Sequence, residues 1–349
     1  MDLATLRALA LDLARHRVVT AEELRVHGAD PSVIYAARHR DVLQDLPGMA
    51  GVYVVGSMPY DDNVRIHAAS AWAGPGAIVS GLVACRLLEL PWVPEGGRIL
   101  VRIEAGNKRR DTAGFVTICR TNELERIETW KFEDILVAGV PDAVVDACRQ
   151  VQSVRVRHAS HVLRDVRGLV LGAVAARRCT AAQLESALAH GSIRDTALTR
   201  RALQDVRRGA ASPPEAEVVD ELMGYGVPFY CNVEVYVENV LIAVLDFYLV
   251  GTGVGGETDS KQEHEEGPKL DATLMRHKTL EGHGFDIHHV TPSRFRSNPS
   301  AFARTLFEAA RSRLARGMGD PPGVELRPRG PLLCGPRSAV TPYVLPQAA

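Results

Sequence analysis

The sequence predicts an α/β protein of the α+β type, in which helices and strands come in separate blocks, and three observations carry that expectation. The first 60 residues alternate three short helix-period segments with a strand ribbon. Residues 151–211 form an arginine-rich block with helical periodicity. After Pro213-Pro214 the pattern runs helix, three strands, helix, strand, helix. A chain of 349 residues exceeds one ordinary hydrophobic core. The blocks therefore read as domains: 1–60, a mixed α/β region 61–150, a helical connector 151–211, a carboxy-terminal α/β domain 212–317 and a disordered tail 318–349.

The elements follow from local chemistry. Leu3, Leu6, Leu9, Ala10 and Leu13 recur at the helical period, and Thr20 followed by Glu22 and Glu23 caps a second helix. The turn Gly28 to Ser32 leads into a third, from Ser32 to Arg40. Val42–Leu46 and Gly51–Val55 flank Pro47-Gly48 as a two-stranded ribbon, which completes a winged helix-turn-helix. Its third helix would present Ser32, Tyr35, Arg38, His39 and Arg40 to base edges and phosphates. Six arginines against seven acids in 1–60 speak against strong DNA contact, and a winged helix also serves as a protein-binding or purely structural module. Beyond it we expect helices at Asn63–Ala73 and Val79–Leu90, strands at Ile99–Ile103 and Gly114–Cys119, and the basic turn Asn107-Lys108-Arg109-Arg110. Residues 158–208 read as continuously helical, and Gly209–Pro214 as a boundary. The last domain then has helices at Glu215–Gly224, Leu270–Gly282 and Pro299–Ala315, with strands at Val233–Val237, Leu241–Val250, Val254–Thr258 and Phe285–Thr291.

A net charge of −1 hides an uneven distribution. Residues 151–210 hold eleven arginines against Asp165, Glu185, Asp195 and Asp205, a local +7 that reads as a phosphate-binding face or as a solvated helical surface. Six scattered cysteines lack metal-ligand spacing and fit a reducing, cytoplasmic compartment. No run approaches the roughly 20 apolar residues of a membrane span, so the expectation is a cytoplasmic protein with no membrane partner.

The chemistry concentrates around Asp246. It interrupts the apolar strand Val244–Val250, and Glu257, Asp259, Lys261 and His264 follow one strand later. Neighbouring strands lie about 4.8 Å apart, so an acid on each can share a divalent cation. Metal ligands would be Asp246, Asp259 and Glu257, binding Mg²⁺ or Mn²⁺, with Lys261 or His264 acting on water or on phosphate charge. Glu215 stands in the first turn of the domain's first helix, either joining that site or serving the helix dipole.

The run Asp246 then Asp259-Ser260-Lys261 resembles the PD-(D/E)xK nuclease superfamily, and 212–315 resembles its DUF559 and very-short-patch-repair branch. Glu215, Asp246, the Glu257-x-Asp259 pair and His264 match that branch's positions in order. Leu274–His277 and the stretch Gly284–Pro292, with His288 and His289, are similar as well. Residues 1–150 resemble the AbiEi-like antitoxin module through Gly51-Val52-Tyr53, the Gly74-Pro75-Gly76 break and Val140-Pro141-Asp142. The resemblance implies a restriction-endonuclease-like αβββαβ domain and metal-dependent DNA cleavage in phage defence or DNA repair. It leaves open a non-catalytic antitoxin and repressor of a type IV toxin–antitoxin system, with a cognate toxin as partner. Homodimerisation to cut both strands is compatible with either. The sequence departs from the branch at Leu245, where a turn-favouring residue is common, and at Ser260, where glycine is common.

Overall fold

The computed structural model describes residues 1–56, 61–153, 159–190, 194–258 and 268–335, with 268–274 described by their backbone alone. The chain is of mixed α and β structure and divides into two compact units: Met1–His158 with Arg178–Thr196, and Ala159–Arg177 with Ala197–Ala349.

In the first unit, α1 (Leu3–Leu13) begins at the Asp2 cap, and β1 (Val18–Thr20) leads into α2 (Ala21–Val26). Thr20 and Glu23 cap α2 reciprocally, as their spacing predicts. Asp30 and Pro31 start α3 (Pro31–His39). Next come β2 (Leu43–Asp45) and β3 (Val52–Val55). The ribbon expected to have two strands has three, in the order β1-β3-β2, because Val18–Thr20 pairs antiparallel with β3. A three-residue strand between helices is too short to show a period. Leu6, Ala10, Leu24, Ile34, Ala37 and Leu43 are buried together beneath these elements.

The rest of the unit surrounds a six-stranded sheet. Its elements are α4 (Asp62–Ala73), β4 (Ile78–Ser80), α5 (Gly81–Leu87), β5 (Ile99–Glu104), β6 (Thr112–Ala113), β7 (Val116–Thr121), β8 (Thr129–Phe132), β9 (Ile135–Ala138) and α6 (Val140–Ser153). The strand order is β6-β7-β5-β4-β9-β8. The helix expected over Val79–Leu90 is a strand followed by a shorter helix. Gly81 makes the break: its φ is +68°, and a Cβ there would lie 1.9 Å from Gln150 Oε1. Arg102 grips Asp146 through two bonds of 2.5 and 2.7 Å, and Ser80 Oγ donates to the same carboxylate at 2.6 Å, so this buried charge pair is fully hydrogen-bonded.

Within 158–208, expected as one helical stretch, the described residues include three helices: α7 (Ala159–Ala175), α8 (Ala181–Ala189) and α9 (Ala197–Arg207). α8 belongs to the first unit, α7 and α9 to the second. Arg177 has φ +56° and Thr180 caps α8 with Gln183, which ends one helix and starts the next.

The second unit continues with α10 (Pro213–Met223), β10 (Phe229–Val237), β11 (Val240–Leu249), β12 (Val254–Thr258), α11 (Pro268–Gly282), β13 (Asp286–Val290), α12 (Pro292–Ser297), α13 (Pro299–Ala315) and β14 (Val324–Pro328). This is the expected order, with α12 and β14 added. The sheet runs β13-β12-β11-β10-β14, and only its β12–β13 pair is parallel. One apolar cluster joins Val218, Leu222, Phe229, Phe247, Leu306 and Phe307; another joins Val233, Val235, Leu245, Tyr248, Leu280 and Phe285. The tail expected to lack order from 318 onward instead supplies β14, which pairs with Val233–Val237, and Leu333, which bridges Phe229 and is buried. Residues 336–349 lie outside the described residues. Among the described residues, no helix is long and apolar enough to cross a membrane.

Candidate functional site

Asp246 occupies a point where the sheet changes face. Cys231 pairs with Phe247, and Val233 pairs with Leu245. A regular strand would keep residues two apart on one side. Yet Cys231 and Phe247 belong to the first apolar cluster, while Val233 and Leu245 belong to the second. The inversion falls at Asn232 and Asp246, and Asn232 takes the left-handed conformation that permits it, φ +52°. A carboxylate is thus turned out of an otherwise apolar run.

Three elements meet around this point. Asp246 Oδ2 accepts hydrogen bonds from Thr258 N and Thr258 Oγ1, both 2.7 Å, at the end of β12. Glu215, buried in the first turn of α10, accepts from Ala211 N at 2.9 Å, Ser212 Oγ at 2.7 Å and Asn232 Nδ2 at 2.8 Å. Asn232 also donates to Gly209 O at 2.7 Å, so the strand irregularity and the start of α10 are tied together. Burial pushes the Asp246 carboxyl up to about 7, the Glu215 charge and more weakly Glu257 add to the rise, and the Thr258 bonds oppose it. Glu215 is therefore both a capping residue and an electrostatic neighbour of Asp246.

Glu257 is buried on β12 and faces a different set of partners. Its Oε2 accepts from Arg276 Nη2 at 2.8 Å and lies 3.1 Å from His277 Nε2 and 3.9 Å from His289 Nδ1. Its Oε1 is buried and has no hydrogen-bond partner among the described residues. His289 is the residue opposite Glu257 in the parallel β12–β13 register, and its ring lies 3.9 Å from that of His277. Ligand atoms of Glu257, His277 and His289 all fall within 4.8 Å of one another. Beside them opens a depression of about 360 Å³ lined by His288, His289, Arg294, Asn298 and Thr305, among others. Sequence reasoning set Arg276 and His277 in a similar stretch but gave them no role. The signal was the parallel pairing, which joins residues 32 apart in the chain and leaves no local periodicity.

Asp259, Lys261 and His264 lie outside the described residues. Of the described acids, Glu257 carries an orphaned oxygen and acts electrostatically on Asp246, and carboxylate oxygens are ligands for a hard divalent cation, whereas the ligand atoms that converge on Glu257 are nitrogens of His277 and His289.

In the first unit, Ser32, Tyr35, Arg38, His39 and Arg40 are all exposed on or just after α3. Arg38 donates to Asp45 at 2.7 Å, Ser32 Oγ donates to Asp30 at 2.6 Å, and Tyr35 meets His39 edge-on. The arginine-rich block is less available than its count suggests. Arg167 is buried between Asp205 at 2.9 Å and Asp220 at 2.5 Å, Arg201 joins Asp220 at 2.8 Å, and Arg164 joins Glu217 at 3.0 Å. Those acids fall within the block or just after it on α10. Arg155 and Arg157 lie outside the described residues.

No family model and no curated protein matches the chain. Among solved structures it is similar to the RV2827C protein from Mycobacterium tuberculosis, with 17% identity and a TM-score of 0.39 over 61% of this chain and 78% of that one.

Proposed function

We propose that the chain is a metal-dependent DNA endonuclease that hydrolyses phosphodiesters with the second unit and holds DNA with the first. The observation that carries this reading is Asp246, a carboxyl raised to about 7 and set at a break in an apolar strand beside Glu215 and Glu257. A protein keeps negative groups in such proximity at a cost to stability, and a function that uses them is the usual reason. Mg²⁺ or Mn²⁺ would be held by Asp246 and Glu257 with Asp259, and would supply Lewis-acid stabilisation of phosphate charge. Thr258 orients the Asp246 carboxylate through two hydrogen bonds, and Asn232 with Ser212 fixes Glu215 behind it. Lys261 or His264 would accept a proton from water or balance charge on the phosphate. On the first unit, Arg38 and Arg40 would meet phosphates while Ser32, Tyr35 and His39 face base edges.

A second reading has one observation in its favour. Arg276 and His277 already contact Glu257, which would suit a nuclease fold retained as a scaffold in a DNA-binding antitoxin or repressor. One assay separates the two: plasmid and single-stranded DNA incubated with the purified chain, with and without Mg²⁺ or Mn²⁺, beside Asp246→Ala and Glu257→Ala. Metal-dependent nicking that both substitutions reduce by a hundredfold or more, on the order of the loss of one catalytic charge, is the expected result. Tight binding to DNA upstream of its own gene without cleavage in either metal would favour the repressor instead.

A further inference from the structure

The first unit carries its own group of ligand-type side chains, which the nuclease reading does not use. His16 lies between α1 and β1 with φ +47°, His67 lies on α4, and Glu133 stands at the tip of the β8–β9 hairpin with φ +53°. The two imidazole rings stack with centroids 4.0 Å apart and planes 18° from parallel. Glu133 Oε2 contacts His16 Nε2 and lies 3.4 Å from His67 Nε2, so both ring nitrogens address one carboxylate. One ligand atom from each of the three residues falls within 4.8 Å of the other two.

The surroundings favour a cation over a simple ion pair. His67 is buried, and its other nitrogen, Nδ1, lies 3.0 Å from Asp134 Oδ1. A carboxylate behind a histidine, fixing which nitrogen carries the proton, is the usual support of a metal-bound imidazole. Asp134 is in turn paired with Arg15 at 3.0 Å, whereas among the described residues Glu133 pairs with the two imidazoles. His16 and Glu133 are partly open to solvent, which leaves room for a water as a further ligand. Glu257, His277 and His289 converge as closely, but Arg276 donates to the same Glu257 oxygen, and that group belongs to the site already described.

We infer that His16, His67 and Glu133 bind a divalent transition-metal ion of the zinc class, with Asp134 orienting His67. Two nitrogens and one carboxylate oxygen suit zinc and cobalt better than magnesium, which prefers oxygen alone. The ion would join the α1–β1 turn, α4 and the β8–β9 hairpin within this unit. The inference stands independently of the nuclease reading.

The test uses the full chain, stripped by chelator and kept free of Mg²⁺. Zn²⁺ binding is measured by calorimetry and Co²⁺ binding by visible absorption, for the wild type and for Glu133→Gln, His67→Ala, Asp134→Asn and Glu257→Gln. We expect Glu133→Gln and His67→Ala to lose one Zn²⁺ equivalent and its cobalt absorption. Asp134→Asn should weaken that equivalent about tenfold or more, and Glu257→Gln should retain it. Glu133 is exposed, so its variant tests the site even if His67→Ala fails to fold; circular dichroism of the metal-free proteins checks this. Unchanged stoichiometry and affinity in Glu133→Gln would overturn the inference. So would a wild type that takes up no zinc at micromolar concentration, or an equivalent lost in Glu257→Gln but kept in Glu133→Gln.

Discussion

Asp246 shows what a buried carboxyl costs. Its pKa rises from the usual 3.8 to about 7, so the folded chain holds the proton more tightly than the unfolded chain does. Stability is therefore fully present below about pH 4 and is lost as pH rises through 7, where the ionised group must stay in place. Asp246→Asn should accordingly raise the thermal midpoint at pH 8 without metal, leave it unchanged near pH 4, and abolish cleavage. Melting curves at the two pH values check the sign, and a variant less stable than wild type at pH 8 would show that Asp246 is a structural hydrogen-bond acceptor. The positions of Asp246 and Glu215 were readable from sequence, because one acid in an apolar strand and another in a helix's first turn are local anomalies. Asn232 was not readable: nothing in its neighbours signals a left-handed residue opposite Asp246. His16, His67 and Glu133 were missed for a related reason, since chain separations of 51 and 66 residues leave no spacing to recognise.

At the scale of elements, expectation succeeded where capping chemistry and periodicity agreed. Thr20 with Glu23 starts α2 where their side chains cap the backbone, whereas α10 begins two residues before the expected Glu215, because Ser212 caps it and Pro213 opens it. The failures share a cause. Val79 and Ser80 were absorbed into a neighbouring helix because a three-residue strand shows no period, and β14 was lost among prolines and glycines. Within β14, Val324 and Leu326 alternate with Glu325 and Arg327 and pack against the second apolar cluster of that unit. Pro328, which has no N–H to donate, ends the edge strand, as its chemistry requires. The strand also covers the open edge of β10, whose backbone would otherwise be free to pair with another chain. A chain ending at Pro322 should melt several degrees lower than one ending at Gly335, which retains β14, and should associate with rising concentration. Thermal melts and light scattering read both effects. Equal melting and scattering would mean that β14 contributes nothing to the sheet.

Across the whole molecule, the pairing of the arginines bears on the proposed hold on DNA. A +7 count over 151–210 suggested a broad phosphate-binding face. The side chains reduce that face, because Arg164, Arg167 and Arg201 are engaged with Glu217, Asp205 and Asp220 inside one unit. The pair of Arg167 with Asp205 is buried on both sides, and breaking it strands a charge, which costs about 3–5 kcal/mol. The pair of Arg38 with Asp45 is exposed, and such pairs are worth about 1 kcal/mol or less, so Arg38 can exchange its carboxylate for a phosphate. The two kinds of arginine should therefore separate experimentally. Arg167→Met should lower stability by several kcal/mol while the remaining folded protein binds DNA with its original affinity and salt dependence. Arg38→Ala with Arg40→Ala should leave the melt almost unchanged, weaken DNA binding, and reduce the slope of log K against log salt by about 2. Fluorescence anisotropy across a salt titration measures the slope directly. An unaltered slope in the double variant, with a reduced one in Arg167→Met, would move the phosphate contacts from α3 to the arginine-rich helices.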